Sequence, residues 1–203
     1  MGYEAIQSRE DYIRFLECDK IALRVPRNRK WPRPFLDDVW RYQILLRKLE
    51  YRLVRRGLIN RIVAGFTKLR FKRLGVRLGF TVDPYVFGPG LSIAHYGSLT
   101  VNPNAKVGSN CRIHEGVTIG ATNGSDKAPI IGDNCFIGSG AKVIGDIIIG
   151  DNVAIGAGAV VVNSYADSNI TLGGVPAKII SNNGSDSNIV KATVLYSQGK
   201  EAH

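Results

Sequence analysis

From residue 101 the chain repeats itself every six positions: Val101, Val107, Ile113 and Ile119, then after one interruption Ile131, Ile137, Val143, Ile149, Ile155 and Val161. A period of six suits neither an α-helix, with its 3.6-residue turn, nor a flat strand, in which alternate side chains share a face. It calls for short strands joined by tight turns and wound into coils, with strands of successive coils paired in parallel about 4.8 Å apart. The position two before each aliphatic residue shares its face, and it holds Ala105, Cys111, Val117, Cys135, Ala141, Val153 and Ala159. Gly108, Gly120, Gly132, Gly138, Gly150 and Gly156 follow the aliphatic column, where a tight turn favours a residue tolerant of positive φ. Cys111 and Cys135 therefore read as core filler, because a buried free cysteine behaves as a small hydrophobe.

The interruption, residues 121–129 (ATNGSDKAP), is polar and carries Gly and Pro. It reads as a loop extruded from the coil, a common place for a substrate site on a rigid scaffold. Before the repeat the period is helical. Ser8, followed by Glu10 and Asp11, starts a helix with Tyr12, Ile13, Leu16 and Ile21 as its apolar stripe. After Pro26, Pro32 and Pro34, Asp37 or Asp38 caps a second helix bearing Val39, Tyr42, Leu46, Leu49 and Leu53, which Gly57 interrupts. A third runs from Leu58 toward Leu74, with Ile62, Phe66 and Leu69 expected inward and Gly75 and Gly79 closing it. The expected organisation is a basic α-helical region (1–82), a β-helix (83–180) and a polar, loosely held C-terminal tail (181–203).

Charge marks the same boundary: residues 1–82 hold 20 Lys+Arg against 8 Asp+Glu, and residues 83–203 hold 7 against 9. The first part thus carries +12 and the rest −2, which raises anionic partners for the helices. No nucleic-acid motif accompanies the charge, so nucleic acid is not expected. Three cysteines without paired spacing argue against a disulfide or zinc framework. No run of apolar residues reaches membrane-span length and residues 1–20 lack signal-peptide order, so a cytoplasmic chain is expected.

The hexads, the segment IAHYGSLTVNPNAKVGSNCRIHEGVTIG and the ending ITLGGVPAKII together resemble the serine acetyltransferase branch of the hexapeptide-repeat transferases, including its shorter relatives in surface-polysaccharide clusters. The match covers roughly residues 80 to 180. It implies a mainly β fold built on a left-handed parallel β-helix, a homotrimer with active sites between subunits, pairing of trimers as a further possibility, and acetyl-CoA as donor. It also implies that His95 is the catalytic base, since an imidazole near its ordinary pKa can take the proton of an attacking hydroxyl. Ser139, Ala157 and Lys178 match the cofactor-binding positions of related acetyltransferases. His114 lies about one coil beyond His95, and with Glu115, Lys127 and Asp83 it is a candidate for substrate binding.

Metal is not expected: the zinc-dependent relatives of this fold use three histidines, and the third here is the terminal His203. The chain departs from the serine enzymes at several positions. Ala94 stands where they have Asp, their further Asp falls near Phe80 or Thr81, and their loop histidine and arginine fall on Ala128 and Lys127. These losses make a sugar hydroxyl of a polysaccharide precursor the leading expectation for the acceptor, with serine as the alternative. A noncatalytic assembly scaffold is a third reading. Weak binding to anionic membrane at the inner face is expected of the basic helices, centred on Arg52, Arg55, Arg56, Lys68, Arg70, Lys72 and Arg73.

Overall fold

In the computed structural model, which describes residues 4–122 and 124–201, a helical cap sits on a left-handed parallel β-helix. His203 lies outside the described residues. Three sheets form the faces of a prism. The first stacks β1 (Phe80–Thr81), β3 (Leu99–Val101), β6 (Thr118–Gly120), β9 (Lys142–Ile144) and β12 (Val160–Val161). The second stacks β4 (Lys106–Val107), β7 (Ile130–Ile131) and β10 (Ile148–Ile149), extended by bridges at Phe87 and Tyr165. The third runs β2 (Ser92–Ile93), β5 (Arg112–Ile113), β8 (Phe136–Ile137), β11 (Ala154–Ile155), β13 (Thr171–Gly174) and β14 (Ala177–Ser181). All pairs are parallel except the closing β13–β14 hairpin.

Both inward columns expected from the repeat are buried, from Val101 to Val161 and from Ala105 to Ala159. The three cysteines are free and buried, and burial pushes the Cys135 thiol up to about 12, so it stays protonated and unreactive. Register places Val107 on Ile131, 24 positions on, but Ile131 on Ile149, only 18 on. The extruded loop thus adds six residues without disturbing the stack.

The turn glycines differ from expectation. Gly108, Gly132, Gly138 and Gly150 do not have positive φ; that conformation falls at Gly116, Gly140 and Gly158 and at Asn110, Asn134 and Asn152. Close stacking, not chain reversal, explains the first group: a Cβ on Gly132 would stand 2.8 Å from the carbonyl carbon of Gly150. Asparagine tolerates the left-handed region and here also forms a ladder, Asn110 Nδ2 donating to Asn134 Oδ1 at 2.8 Å and Asn134 Nδ2 to Asn152 Oδ1 at 3.0 Å.

The helices are α1 (Arg9–Ala22), α2 (Asp38–Val54), α3 (Leu58–Leu78) and α4 (Ala192–Glu201). Ser8 and Asp11 form a reciprocal capping box at α1. Its inward face is Phe15, Cys18, Asp19 and Ala22, not the expected stripe, because Asp19 is drawn into a buried polar network. There Arg47, with no exposed surface, donates to both Asp19 oxygens, to Glu50 and to the carbonyls of Phe87 and Gly88. Asp19 accepts from the Gly90 and Leu91 amides, and the Gln43 side chain bonds Leu91 O and Ile93 N as a strand would. The open edge of β2 is thereby satisfied.

Helix α3 also turns the other way from expectation. It runs through Gly75 to Leu78, and Ala64, Thr67, Phe71, Leu74 and Leu78 face α2, while Ile62, Phe66 and Leu69 face outward. Small residues on the packed face allow the close approach: Tyr42 stacks on Phe71 at 4.7 Å, and a Cβ on Gly75 would lie 3.3 Å from the Tyr42 ring. The expected loose tail is docked. Its helix α4 packs on α1, Ser185 is buried, and Asn110 Nδ2 donates to Thr193 Oγ1 at 2.8 Å.

Candidate functional site

The third sheet sets the site, because its strands end at one edge of the prism. His95 follows β2, His114 and Glu115 follow β5, Ser139 follows β8 and Ala157 follows β11. The next strand, β13, pairs with β14 and sets Lys178 opposite Gly173. Five strand steps separate β2 from β14, about 24 Å at the usual spacing. Backbone bonds hold the column: Gly140 N donates to Glu115 O at 2.9 Å and Gly158 N to Ser139 O at 2.8 Å.

His95 is exposed, and the inward position beside it belongs to Ile93, which stacks on Ile113; it is not one of the aliphatic core positions. Its ring meets that of His114 edge-on at 5.5 Å, and His114 meets Phe136 in the same way at 5.1 Å. Ser139 Oγ lies 3.4 Å from His114 Nδ1, and Glu115 Oε2 lies 3.8 Å from the same nitrogen. Burial and then the neighbouring Arg112 charge hold His114 below its ordinary pKa, with Glu115 pulling the other way. The Ser139 hydroxyl beside Glu115 holds that carboxyl below its ordinary value. His114 Nε2 and Glu115 Oε2 are shielded from solvent and have no hydrogen-bond partner among the described residues. Ligand atoms of His95, His114 and Glu115 lie within 4.8 Å of one another, a set of three that can hold a divalent ion with a position left open.

Two clefts flank this pair. One, of 520 Å³, opens on His95 and Tyr96 and is walled by Trp40, Asp38 and Phe35. The other, of 460 Å³, opens on His114 and is lined by Arg24, Arg112, Ser92 and Asn188. Arg112 was not legible as a site residue: it occupies an outward hexad position, where any residue type is allowed. Burial and then Arg24 pull its pKa down, yet it stays charged at neutral pH.

The remaining candidates stand apart from this cluster. Asp83 lines a separate cleft with Tyr42, Phe71 and Lys72. Lys127 is exposed on the extruded loop and pairs with Asp146 at 2.8 Å, which raises its pKa. Ala128, at the position of the resembled family's loop histidine, is buried.

Residues 128–163 match the family model for bacterial transferase hexapeptide repeats (six repeats). The chain is 36% identical over 153 residues to serine acetyltransferase of Staphylococcus xylosus, covering 72% of this chain and 64% of that protein. It is 34% identical over 152 residues to serine acetyltransferase of Mycobacterium tuberculosis, covering 72% of this chain and 61% of that one. The chain therefore spans a little under two thirds of these relatives. The solved structure of serine acetyltransferase from Brucella abortus in complex with coenzyme A superposes with a TM-score of 0.67 at 30% identity, covering 87% of this chain and 70% of that one.

Proposed function

We propose, on the premise that this chain belongs to the serine acetyltransferase-like branch of the hexapeptide-repeat acetyltransferases, that it is an acetyl-CoA-dependent O-acetyltransferase. The observation that carries this reading is the exposed His95 in ring contact with His114 at the head of the column Glu115, Ser139 and Ala157. In this mechanism His95 removes the proton of an acceptor hydroxyl as the oxygen attacks the thioester carbonyl. Collapse of the tetrahedral intermediate breaks the C–S bond. The thiolate leaves with the proton held on His95, giving an O-acetyl ester and free CoA. The unsatisfied His114 Nε2 and Glu115 Oε2 suit the hydroxyl or carbonyl of a bound reactant, since each lacks a hydrogen-bond partner that such a reactant can supply. Backbone amides at Ser139 and Ala157 line the path of the pantetheine arm, and Lys178 meets a phosphate at its far end. A homotrimer, with a neighbouring subunit closing the His95 cleft, completes the site.

Serine is the acceptor favoured by the named relatives, and Arg112 with Arg24 beside His114 offers the positive charge a carboxylate needs. A sugar hydroxyl remains the second reading for one reason. The extruded loop has no imidazole, and its lysine is already paired with Asp146. Release of free thiol from acetyl-CoA is the deciding experiment, run with L-serine, with a panel of sugars and nucleotide-sugars, and with no acceptor. Serine-dependent release that Arg112→Ala slows through KM supports the first reading, and sugar-dependent release indifferent to Arg112 supports the second. No acceptor-dependent release with any of them overturns the enzyme reading and favours a noncatalytic scaffold.

A further inference from the structure

Helix α3 has two apolar faces, and only one is used. At about 100° per residue, Ala64, Thr67, Phe71 and Leu74 form the face packed on α2. Leu58, Ile62, Phe66, Leu69 and Val76 form a second stripe on the opposite side. These side chains are open to solvent: Leu58 is 73% exposed, Phe66 67% and Val76 84%. Leu53 and Val54, at the end of α2, continue the exposed apolar surface.

The charges are arranged around that stripe. Arg61, Lys68 and Lys72 run along one flank, and Arg70, Arg73 and Arg77 along the other, while the helix contains no Asp or Glu. Arg77 is paired with Asp38 at 2.6 Å; among the described residues no ion pair is made by the other five. Trp31, 80% exposed, shares a cleft with Arg70, Arg73 and Arg77.

A second copy of the same helix would bring two sets of six cations together, which argues against self-pairing through this stripe. A neutral apolar partner would leave both cationic flanks without counter-charges. An anionic bilayer satisfies both features, since the stripe sinks into the acyl boundary while the long basic side chains reach outward to phosphates. The exposed Trp is suited to the headgroup level. No helix is long and apolar enough to cross a membrane among the described residues, so the contact is along the surface. We propose that the outward face of α3 is a docking surface for anionic lipid, which holds the enzyme at a membrane by its helical cap.

The test is flotation of the full chain with vesicles of phosphatidylcholine alone or mixed with phosphatidylglycerol, at low and high salt. Binding is expected only to the anionic vesicles and is expected to fall with salt. Each cation removed should lower the partition about fivefold at low salt, so Lys68→Gln with Lys72→Gln should weaken it roughly 25-fold. Ile62→Ser with Phe66→Ser should abolish binding while the melting curve stays within a few degrees of the parent, because Ile62 is half exposed and Phe66 mostly so. Equal recovery with neutral vesicles, binding indifferent to salt, or no binding at all overturns the proposal. So does a drop in particle mass on Ile62→Ser with Phe66→Ser without any change in flotation, which would assign the stripe to a second copy. Flotation reads no acetyl transfer, so its failure leaves the enzyme reading untouched.

Discussion

Replacing Arg47 by Met keeps most of the side-chain stem and removes the guanidinium that joins α1, α2 and the first coil. Its five hydrogen bonds, at 2.7 to 3.2 Å, reach two buried carboxylates and two backbone carbonyls. Asp19 keeps the Gly90 and Leu91 amides and Glu50 keeps the Tyr85 amide, so neither is stripped of every donor. Both would nevertheless lose their buried counter-charge, a change that costs about 3–5 kcal/mol. For a chain of this size that is a fall in melting temperature of roughly 6–20 °C. The deficit should also depend on pH. Burial already pushes the Asp19 and Glu50 carboxyls upward against the opposing pull of Arg47. Without that pull both carboxyls rise further above the unfolded value near pH 4, so as pH falls the folded variant takes up protons before the unfolded chain does. Stability of the variant therefore rises as pH falls from 7 to 5, by at most about 1.4 kcal/mol per pH unit for each such proton, while the parent changes less. Denaturant unfolding at fixed protein concentration, followed by helical circular dichroism at both pH values, reads the difference. A deficit below about 1 kcal/mol at pH 7, or one that holds constant or grows toward pH 5, would refute the reasoning.

His95→Ala should lower turnover by about 10²-fold to 10⁴-fold with CoA binding preserved, and steady-state kinetics retaining activity within roughly threefold would remove it from the mechanism. CoA should raise the melting temperature at concentrations above its dissociation constant, and Lys178→Ala should shrink that shift; calorimetry without a binding signal would count against the cofactor column. Glu115→Gln removes a charge that supports protonation of His114, so the imidazole midpoint, followed by NMR, should move further down; an upward shift would mean that Glu115 does not act on this ring. Gly150→Ala would place a Cβ 2.5 Å from the Asp167 carbonyl oxygen and should destabilise the fold by about 1–3 kcal/mol in denaturant unfolding, whereas a neutral effect would show that the stack can relax there.

The β-helix was legible because its signal is periodic and redundant. Ten aliphatic positions in phase leave no other way to bury Val101 through Val161 together. The inward faces of the helices were less legible for two physical reasons. Helix α3 is apolar on two sides, so periodicity cannot say which side α2 will cover. Helices α1 and α2 bury Asp19, Gln43, Arg47 and Glu50, residues that a reading by polarity assigns to solvent. The column from His95 to Lys178 was reached through resemblance, and the prism explains it afterwards, since residues 83 positions apart in sequence share one edge of one sheet. Asp83 was a candidate because it lies close in sequence to Phe80 and Thr81, where the serine enzymes carry an acid, but the first coil carries it to another cleft.

A stack of identical coils has no intrinsic length, and each end invites another coil. Here both ends are terminated. At one, Gln43 and Asp19 occupy the bonds that a preceding strand would take from Leu91 and Ile93. At the other, β14 runs backwards along β13, so its outer edge has the wrong polarity for a further parallel turn. The helical cap thus acts as a chain terminator. A fragment cut to residues 83–180 would expose the amides of Gly90, Leu91 and Ile93 as one unpaired edge while keeping the reversed β14 at the other end, so it should associate in pairs through its cut end and stop there.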